Sequence, residues 1–283
     1  MEPRVVAARR GLDWLREGLD LFAMAPGTWL GITLLFSMMI VALSVIPFVG
    51  MLLSVAIPIF IGGLMLGCDA QRLGRPLEVR YLFNGFEAPR LQPLAVVGAL
   101  YLAGSIVVMI PVIAVVVGTS VASAVAAVSA SGAGSSSAGL GTLGLSAVLF
   151  GVGLLLVMAA SILLSMTLWF APALVVFRNI APLEAMKASL RGALRNIGAF
   201  TIYTLSLLGV GLLVMLPLLA AILLAAARGT SGGDLTPMLA IAIGGASLFA
   251  LICIVLLMPP MWGAMYASYR DVFGDAGNLE FDM

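Results

Sequence analysis

Histidine is absent from the 283 residues, and only two cysteines occur. Without histidine the chain lacks the commonest metal ligand and the side chain that titrates most readily near neutral pH. Cys68 and Cys253 lie far apart in apolar stretches, so we interpret them as small hydrophobic residues rather than as a metal or redox pair. The formal net charge of +1 gives no reason to expect a nucleic-acid partner. We therefore predict no metal, no cofactor and no nucleic acid as ligands.

Charged residues are also scarce. They make up 10% of the chain, whereas 62% of its residues are hydrophobic. Soluble domains carry about 25% charged residues. A water-soluble protein of this composition would expose apolar patches larger than the few hundred Å² that soluble monomers tolerate. The composition therefore predicts a protein dissolved in lipid.

The few charged residues delimit four long uncharged stretches. They comprise 48 residues after Asp20, 87 after Arg90, 32 after Arg195 and 35 after Asp234. A spanning helix needs about 20 apolar residues, so the first two stretches hold two spans each and the last two hold one each. We predict an all-α fold, a polytopic transmembrane bundle with six spans near residues 28–46, 49–67, 94–117, 145–175, 198–226 and 237–265.

Three segments join these spans on the side that carries little charge, at about residues 46–50, 129–141 and 228–234. The second segment is a low-complexity run of serine, glycine and alanine, for which we predict a mobile loop. None of the three carries a plausible catalytic set. The fourth span is longer than a bilayer requires, so we expect it to tilt, to bend near Pro172 or to extend beyond the membrane.

The distribution of basic residues predicts the orientation. Thirteen of the fourteen lysine and arginine residues fall on one side of the predicted spans, and only Arg228 falls on the other. Loops rich in lysine and arginine stay in the cytoplasm. We therefore expect both termini and both charged loops to be cytoplasmic.

The chain resembles itself at an offset of 171 residues. At this offset Asp13 aligns with Glu184, Gly18 with Ser189, and a weaker third copy begins at Pro76. We predict a single integral membrane domain, 1–283, made of three pseudo-repeated units. Each unit is an interfacial helix followed by a helical hairpin, at approximately 5–69, 76–178 and 182–271.

Both stronger copies contain an amphipathic helix. Apolar residues recur there at helical spacing: Leu12, Leu15, Leu19 and Phe22 in the first copy, and Leu183, Met186 and Leu190 in the second. Basic residues on the polar faces are candidate contacts to lipid headgroups or to a partner protein: Arg9, Arg10, Arg16, Lys187, Arg191 and Arg195. The alternative is that the two helices only anchor and orient the hairpins.

No ionisable residue falls inside a predicted span. Ion-coupled transporters, metalloproteases and aspartyl proteases of the membrane all need such residues, so the pattern disfavours these classes. Ser161 and Ser165 have no basic partner in any span, and we interpret them as packing residues. The glycines of Gly63-Leu-Met-Leu-Gly67 permit close helix approach, although this pattern is common by chance in glycine-rich chains. We predict that the protein is not an enzyme.

Three segments carry a resemblance to a known group of proteins. The first is a pattern of seven N-terminal residues: Gly11, Trp14, Gly18, Leu21, Phe22, Pro26 and Trp29. The others are FAPALVVFRNIAPLEAMKASLRGALRNIGAF and the terminal GAMYASYRDVFG. Together they resemble an uncharacterised family of proteobacterial inner-membrane proteins, similar to YciC-like proteins and more loosely to the membrane domain of some glycerophosphodiester phosphodiesterases. The resemblance implies the bacterial inner membrane and assigns no activity to any residue.

Two classes of function remain open. The first is a non-enzymatic module that organises membrane lipids, a partner protein or further copies of itself, as the basic amphipathic helices suggest. The alternative is a transporter, channel or flippase for a neutral or lipidic substrate, because three repeated units can frame a central path through uncharged spans.

Overall fold

The computed structural model describes residues 2–46, 49–132, 136–227 and 237–274. These residues form nine α-helices and one 3-10 helix, and no strand occurs among them. The helices are α1 Arg10–Met24, α2 Pro26–Ser44, α3 Val49–Arg72, the 3-10 helix Val79–Phe86, α4 Leu91–Gly132, α5 Ser136–Trp169, α6 Ala171–Arg178, α7 Pro182–Arg195, α8 Ile197–Ala227 and α9 Pro237–Phe273.

Six apolar helical segments among the described residues are long enough to cross a membrane, so the prediction of a six-span helical bundle is confirmed. They are Pro26–Ser44, Leu52–Arg72, Leu91–Val121, Phe150–Arg178, Ile197–Leu224 and Ala240–Phe273. The fourth segment is broken at Phe170, where α5 ends and α6 begins with Pro172 in its first turn. The predicted bend near Pro172 is therefore confirmed.

The predicted loop at 129–141 is wrong for most of its length. Helix α4 continues to Gly132 and α5 begins at Ser136, so only residues 133–135 of that segment lie outside the described residues. Serine and alanine are compatible with a helix, and the partner helix of a hairpin supports them. The 42 residues of α4 extend for about 63 Å at 1.5 Å per residue, twice the roughly 30 Å of a bilayer core. Residues 47, 48 and 228–236, in the other two predicted turns, lie outside the described residues.

Helix α1 uses two different faces. The face against the protein consists of Gly11, Trp14 and Gly18, all buried, whereas Leu12 and Leu19 are 39% and 51% exposed. A Cβ atom added at Gly11 would overlap the carbonyl oxygen of Ala199 on α8. One added at Gly18 would overlap that of Pro260 on α9. The two glycines therefore allow the backbone of α1 to touch the backbones of two spans.

The short helices follow one packing rule. Helix α1 packs on α9, the 3-10 helix packs on α3, and α7 packs on α5 and α6. In terms of the predicted units, each short helix thus packs on the last span of the unit before it, and α1 closes the ring on the third unit. The division into three units remains a prediction.

Small residues mediate all three crossings. Gly18 faces the backbone of α9 at Pro260, and Gly85 of the 3-10 helix faces that of α3 at Ile59. Ser189, which aligns with Gly18 in the repeat, instead inserts its hydroxyl into the chain break of the fourth span. It donates to the carbonyl of Met166 (2.7 Å) and accepts from the amide of Phe170 (2.9 Å). A side chain inserted between residues i and i+4 in this way bends a helix.

The core lies at one end of the bundle, where α1, the 3-10 helix and α7 pack; we call this the basic end. Its largest fully buried side chains include Trp14, Trp29, Phe170, Tyr266 and Tyr269. Towards the other end the spans are mostly exposed, and no residue of the most apolar window of Leu91–Val121 is buried. In a membrane such surfaces contact lipid, which solvates apolar side chains as well as another helix does. The bundle is therefore held together mainly at its basic end.

We expect Gly18→Ala to destabilise the protein by about 1–3 kcal/mol, the usual cost of overpacking. The added Cβ would overlap the carbonyl oxygen of Pro260 and lie 2.8 Å from the amide nitrogen of Ala264. Both atoms belong to backbone and cannot rotate away. The melting temperature of the purified protein in one detergent measures the effect.

The matched control is Gly31→Ala on α2, where an added Cβ has no neighbour within 4 Å. Its melting temperature should match or exceed that of the wild type, since alanine favours helix more than glycine does. Equal stability of the two variants would contradict the close approach of α1 to α9.

Candidate functional site

Asp271 near the end of α9 is the centre of an ion network at the basic end. Its Oδ2 accepts hydrogen bonds from Trp14 Nε1 (2.7 Å) and Arg10 Nε (2.6 Å), and its Oδ1 accepts one from Arg10 Nη2 (2.8 Å). The bidentate geometry is the strong form of an arginine–carboxylate pair. Arg10 Nη2 also donates to Glu17 Oε1 (2.8 Å), so the network joins α1 to α9.

The network fixes the charge of Arg10. Hydrogen bonding to Asp271 raises the pKa of the Arg10 guanidinium above its ordinary value, and burial opposes this only in part. The Arg10 side chain is 32% exposed. Arg10 is therefore held by carboxylates of its own chain, with a minority of its surface left for a headgroup.

The other predicted headgroup contacts are spread over two helices. Arg16 lies 3.6 Å from Asp13. Lys187 lies 3.0 Å from Glu184, and its hydrogen bond lowers the pKa of that carboxyl. The remaining three are all exposed: Arg9, Arg191 and Arg195. The structure thus divides the six residues into an α1 group and an α7 group.

Arg195 and its neighbour Asn196 hold the N-terminal segment. The side chain of Asn196 accepts from the amide of Val6 (2.7 Å) and donates to the carbonyl of Arg4 (2.9 Å). Arg195 lies 3.8 Å from Glu2. Among the described residues, Arg9 and Arg191 make no ion pair, so these two keep the most charge for an external anion.

A pocket of about 230 Å³ opens between α1, α9 and the end of α3. Its charged lining consists of Glu17 and Asp20 from α1, Arg72 from α3 and Arg270 from α9. The rest of the lining is Leu21, Met24, Tyr266 and Ala267. The pocket therefore combines two carboxylates, two guanidinium groups and an apolar edge.

Hydrogen bonds hold the walls of this pocket in place. Tyr266 Oη donates to Asp69 Oδ1 (2.6 Å), and the guanidinium of Arg270 lies 5.8 Å from the ring centre of Tyr266. Gln71 Nε2 donates to the carbonyl of Leu21 (2.8 Å), which ties the end of α3 to α1. The walls are thus fixed by contacts among three helices rather than by one mobile segment.

A larger cleft of about 420 Å³ lies between α5 and α8 and is open at the side of the bundle. Helix α8 packs mainly on α9 and α1, and α5 packs mainly on α4 and α7, so the two helices leave a gap. One wall is Ile162, Ser165, Met166 and Trp169; the other is Ile197, Phe200, Thr201, Tyr203, Thr204 and Leu205. The lining is almost entirely apolar.

Tyr203 is the polar exception in this cleft. Its ring lies 5.6 Å from that of Trp169 and 6.4 Å from that of Trp14, measured between centroids. Its hydroxyl is buried and has no hydrogen-bond partner within the part of the chain that the structure describes. Buried hydroxyls in native proteins nearly always have a partner, so this atom calls for one.

Sequence reasoning did not assign roles to Asp271, Glu17 or Tyr203. Trp14 and Asp271 each belong to a segment that carried the resemblance, but nothing in one sequence links positions 257 residues apart. Within the described residues, no group of three acidic or cysteine side chains is arranged to hold a metal ion.

We expect Asp271→Asn to lower stability by about 1–2 kcal/mol, the low end for a charged hydrogen bond, because water screens the partly exposed Arg10. The amide keeps an acceptor for Trp14 but removes the charge opposite Arg10. Glu184→Gln is the control, as it removes a carboxylate from an exposed pair and should leave the melting temperature unchanged. Equal shifts in both variants would contradict a special role for Asp271.

A protein of Burkholderia thailandensis described as a probable inner membrane protein is 28% identical to this chain over 280 residues. The matched region covers 95% of this chain and 93% of the relative. No protein-family profile matches the chain. No solved structure matches it either. The chain is thus a six-span helical membrane protein with a full-length bacterial relative.

Proposed function

We propose that this chain is a multi-pass protein of the bacterial inner membrane that holds phospholipids at defined positions between its spans. The observation that carries the proposal is the lateral cleft between α5 and α8. The six candidate spans and the name of the Burkholderia relative support the inner-membrane location. The proposed role involves no covalent chemistry.

The shape of the cleft suits an acyl chain. Its α5 wall spans Ile162 to Trp169 and its α8 wall spans Ile197 to Leu205, about 12 Å along each helix. Aromatic and aliphatic side chains line both walls, and the opening faces the side of the bundle. In the membrane this gap is next to lipid, so an acyl chain is the occupant at the highest local concentration.

The basic residues of α7 support a phospholipid rather than a hydrocarbon alone. The α8 wall of the cleft begins at Ile197, directly after the end of α7. Arg191 and Arg195 lie on the last turns of α7 and are exposed. Basic residues at the interface attract anionic lipid phosphates by about 1 kcal/mol each. A lipid with its chain in the cleft would have its phosphate near this end of α7.

Tyr203 supports the same occupant. Its buried hydroxyl lacks a partner among the described residues, and it belongs to the lining of the cleft. The ester carbonyls of a phospholipid are acceptors that join the headgroup to the acyl chains. Such a carbonyl would satisfy this hydroxyl.

The absence of an enzymatic activity remains part of the proposal. The best-ordered charged groups at the basic end, Arg10 and Asp271, are engaged with each other and with Trp14. The proposed membership in the group of YciC-like proteins fits this role. Three residues of its N-terminal pattern, Gly11, Trp14 and Gly18, are the buried face of α1, so the pattern describes packing rather than chemistry.

A transporter or flippase for a lipidic substrate is the second candidate. It is favoured by the loose packing of the spans away from the basic end, where Leu205, Leu208 and Leu212 of α8 are all more than half exposed. A lipid entering the cleft could continue along this surface. A partner protein or a second copy of the chain on the same exposed surfaces remains a prediction that the cleft does not specifically favour.

We expect Ser165→Trp to remove one tightly held phospholipid, because the indole would fill the cleft. Native mass spectrometry of protein released from nanodiscs counts the retained lipids. The control is Ser247→Trp on α9. Ser165 and Ser247 are both exposed, and each donates only to its own helix backbone, at 2.8 Å. Ser247 does not line the cleft.

Equal lipid counts in the wild type and both variants would contradict the proposal. Exchange of a fluorescent lipid between the leaflets of proteoliposomes separates the two candidate functions. A lipid-holding module leaves the exchange rate at the protein-free level. A rate that the wild type accelerates and that Ser165→Trp slows would replace the proposal by the flippase.

The proposed orientation places both termini and the basic end in the cytoplasm, as thirteen of fourteen basic residues favour. Alkaline phosphatase, which folds only outside the cytoplasm, should be active when fused after residue 135 and inactive when fused after residue 180. A reporter that folds only in the cytoplasm should give the opposite pattern. Activity of the phosphatase at residue 180 alone would invert the proposed topology.

A further inference from the structure

The pocket between α1, α9 and the end of α3 has a balanced charge. Glu17 and Asp20 lie one turn apart on α1, and they share the pocket with Arg72 and Arg270 from the other two helices. A simple anion would be attracted by the arginines and repelled by the carboxylates. A ligand that carries both charges can satisfy both sets. The lining therefore matches a zwitterion better than an ion of either sign.

The carboxylates keep capacity for a cation. Glu17 Oε1 accepts from Arg10, but its Oε2 lies 3.9 Å from Arg270, beyond hydrogen-bond distance. Asp20 is exposed and forms no ion pair with any described residue. Neither acid is therefore saturated by the protein. A donor placed between them could bond to both.

The pocket also has an apolar side. Leu21 and Met24 follow Glu17 and Asp20 along the same face of α1, and Met24 is 60% exposed. Helix α1 ends at Met24, and the first span begins at Pro26. The apolar edge thus lies where the chain enters the membrane. A ligand whose charged part sits in the pocket can leave it past Met24 towards lipid.

We propose that this pocket binds the headgroup of phosphatidylethanolamine. The phosphate lies against the guanidinium groups of Arg72 and Arg270. The primary ammonium lies against the carboxylates of Glu17 and Asp20, and the acyl chains leave past Met24. The volume of about 230 Å³ is below the roughly 300–1,000 Å³ of pockets that enclose whole small molecules, so it suits a headgroup alone.

The geometry selects ethanolamine over choline. A primary ammonium donates three hydrogen bonds, whereas a quaternary ammonium donates none and is usually bound by aromatic faces. The aromatic ring in this pocket is Tyr266, and the guanidinium of Arg270 lies over it at 5.8 Å. The carboxylates therefore remain the main partners for the cationic group, and they reward hydrogen-bond donors.

The test uses the full chain in nanodiscs that contain equal amounts of phosphatidylethanolamine, phosphatidylcholine and phosphatidylglycerol. Native mass spectrometry reports which lipids the released protein retains. The wild type should retain phosphatidylethanolamine preferentially. Asp20→Asn should reduce this preference about tenfold, the effect of one charge-assisted hydrogen bond. Retention of phosphatidylglycerol should not fall.

Asp13→Asn is the matched control, because Asp13 lies on the same helix, faces Arg10 and Arg16, and does not line the pocket. It should keep the preference for phosphatidylethanolamine. Stepwise N-methylation of the lipid tests the same bond without a variant, and retention should fall with each lost donor. Both variants must melt like the wild type for the comparison to count, and the methylation series decides the question if Asp20→Asn does not.

Three results would overturn the proposal. They are equal retention of phosphatidylcholine and phosphatidylethanolamine, an equal loss in Asp13→Asn, and displacement of the lipid by soluble glycerophosphoethanolamine at matched concentration, which would indicate a water-soluble ligand. The proposal does not depend on the cleft between α5 and α8. Ser165→Trp should leave the preference for phosphatidylethanolamine intact, so the two sites can fail separately.

Discussion

The close contact of α1 with α8 and α9 is the constraint on which the rest of the structure depends. Gly11 and Gly18 allow backbone-to-backbone contact at two points two helical turns apart. Trp14 between them is fully buried, and its indole nitrogen must find an acceptor there, which Asp271 provides at 2.7 Å. A side chain at either glycine, or a missing acceptor, would separate the first helix of the chain from the last.

This contact closes a ring of short helices and thereby locates the cleft. Each short helix packs on a span that precedes it in the ring, so the spans are fixed near the basic end and remain less constrained beyond it. Hairpin partners such as α4 and α5 pack on each other along their length, with Gly104 against Leu164 and Gly153 against Val115. Helices α5 and α8 belong to different hairpins, and no short helix bridges them towards the membrane. A gap between them follows from this arrangement.

The sequence was sufficient for the features that depend on local composition. Uncharged stretches located the six spans, and Pro172 located the bend of the fourth, although Ser189, which inserts at Phe170, was assigned no part in that bend. The run of small residues at 129–141 was misread, because serine and alanine are equally common in loops and in helices supported by a partner. Distant pairs were beyond reach: Trp14 and Asp271 lie 257 residues apart, and no periodicity within one sequence brings them together. The charged pocket has the same origin, since its walls come from three helices.

The exposed spans and the lipid sites have a common physical explanation. In water, the apolar surfaces of α4, α5 and α8 would drive these helices together, but in a bilayer lipid tails solvate them equally well. Helix association then requires small residues or polar bonds, and the described residues that supply the strongest of these lie at the basic end. Elsewhere the gaps between helices are filled by whatever lipid fits them. A bundle with one rigid end and lipid-filled gaps selects lipids by shape and by charge at the rigid end, and this is where both proposed sites lie.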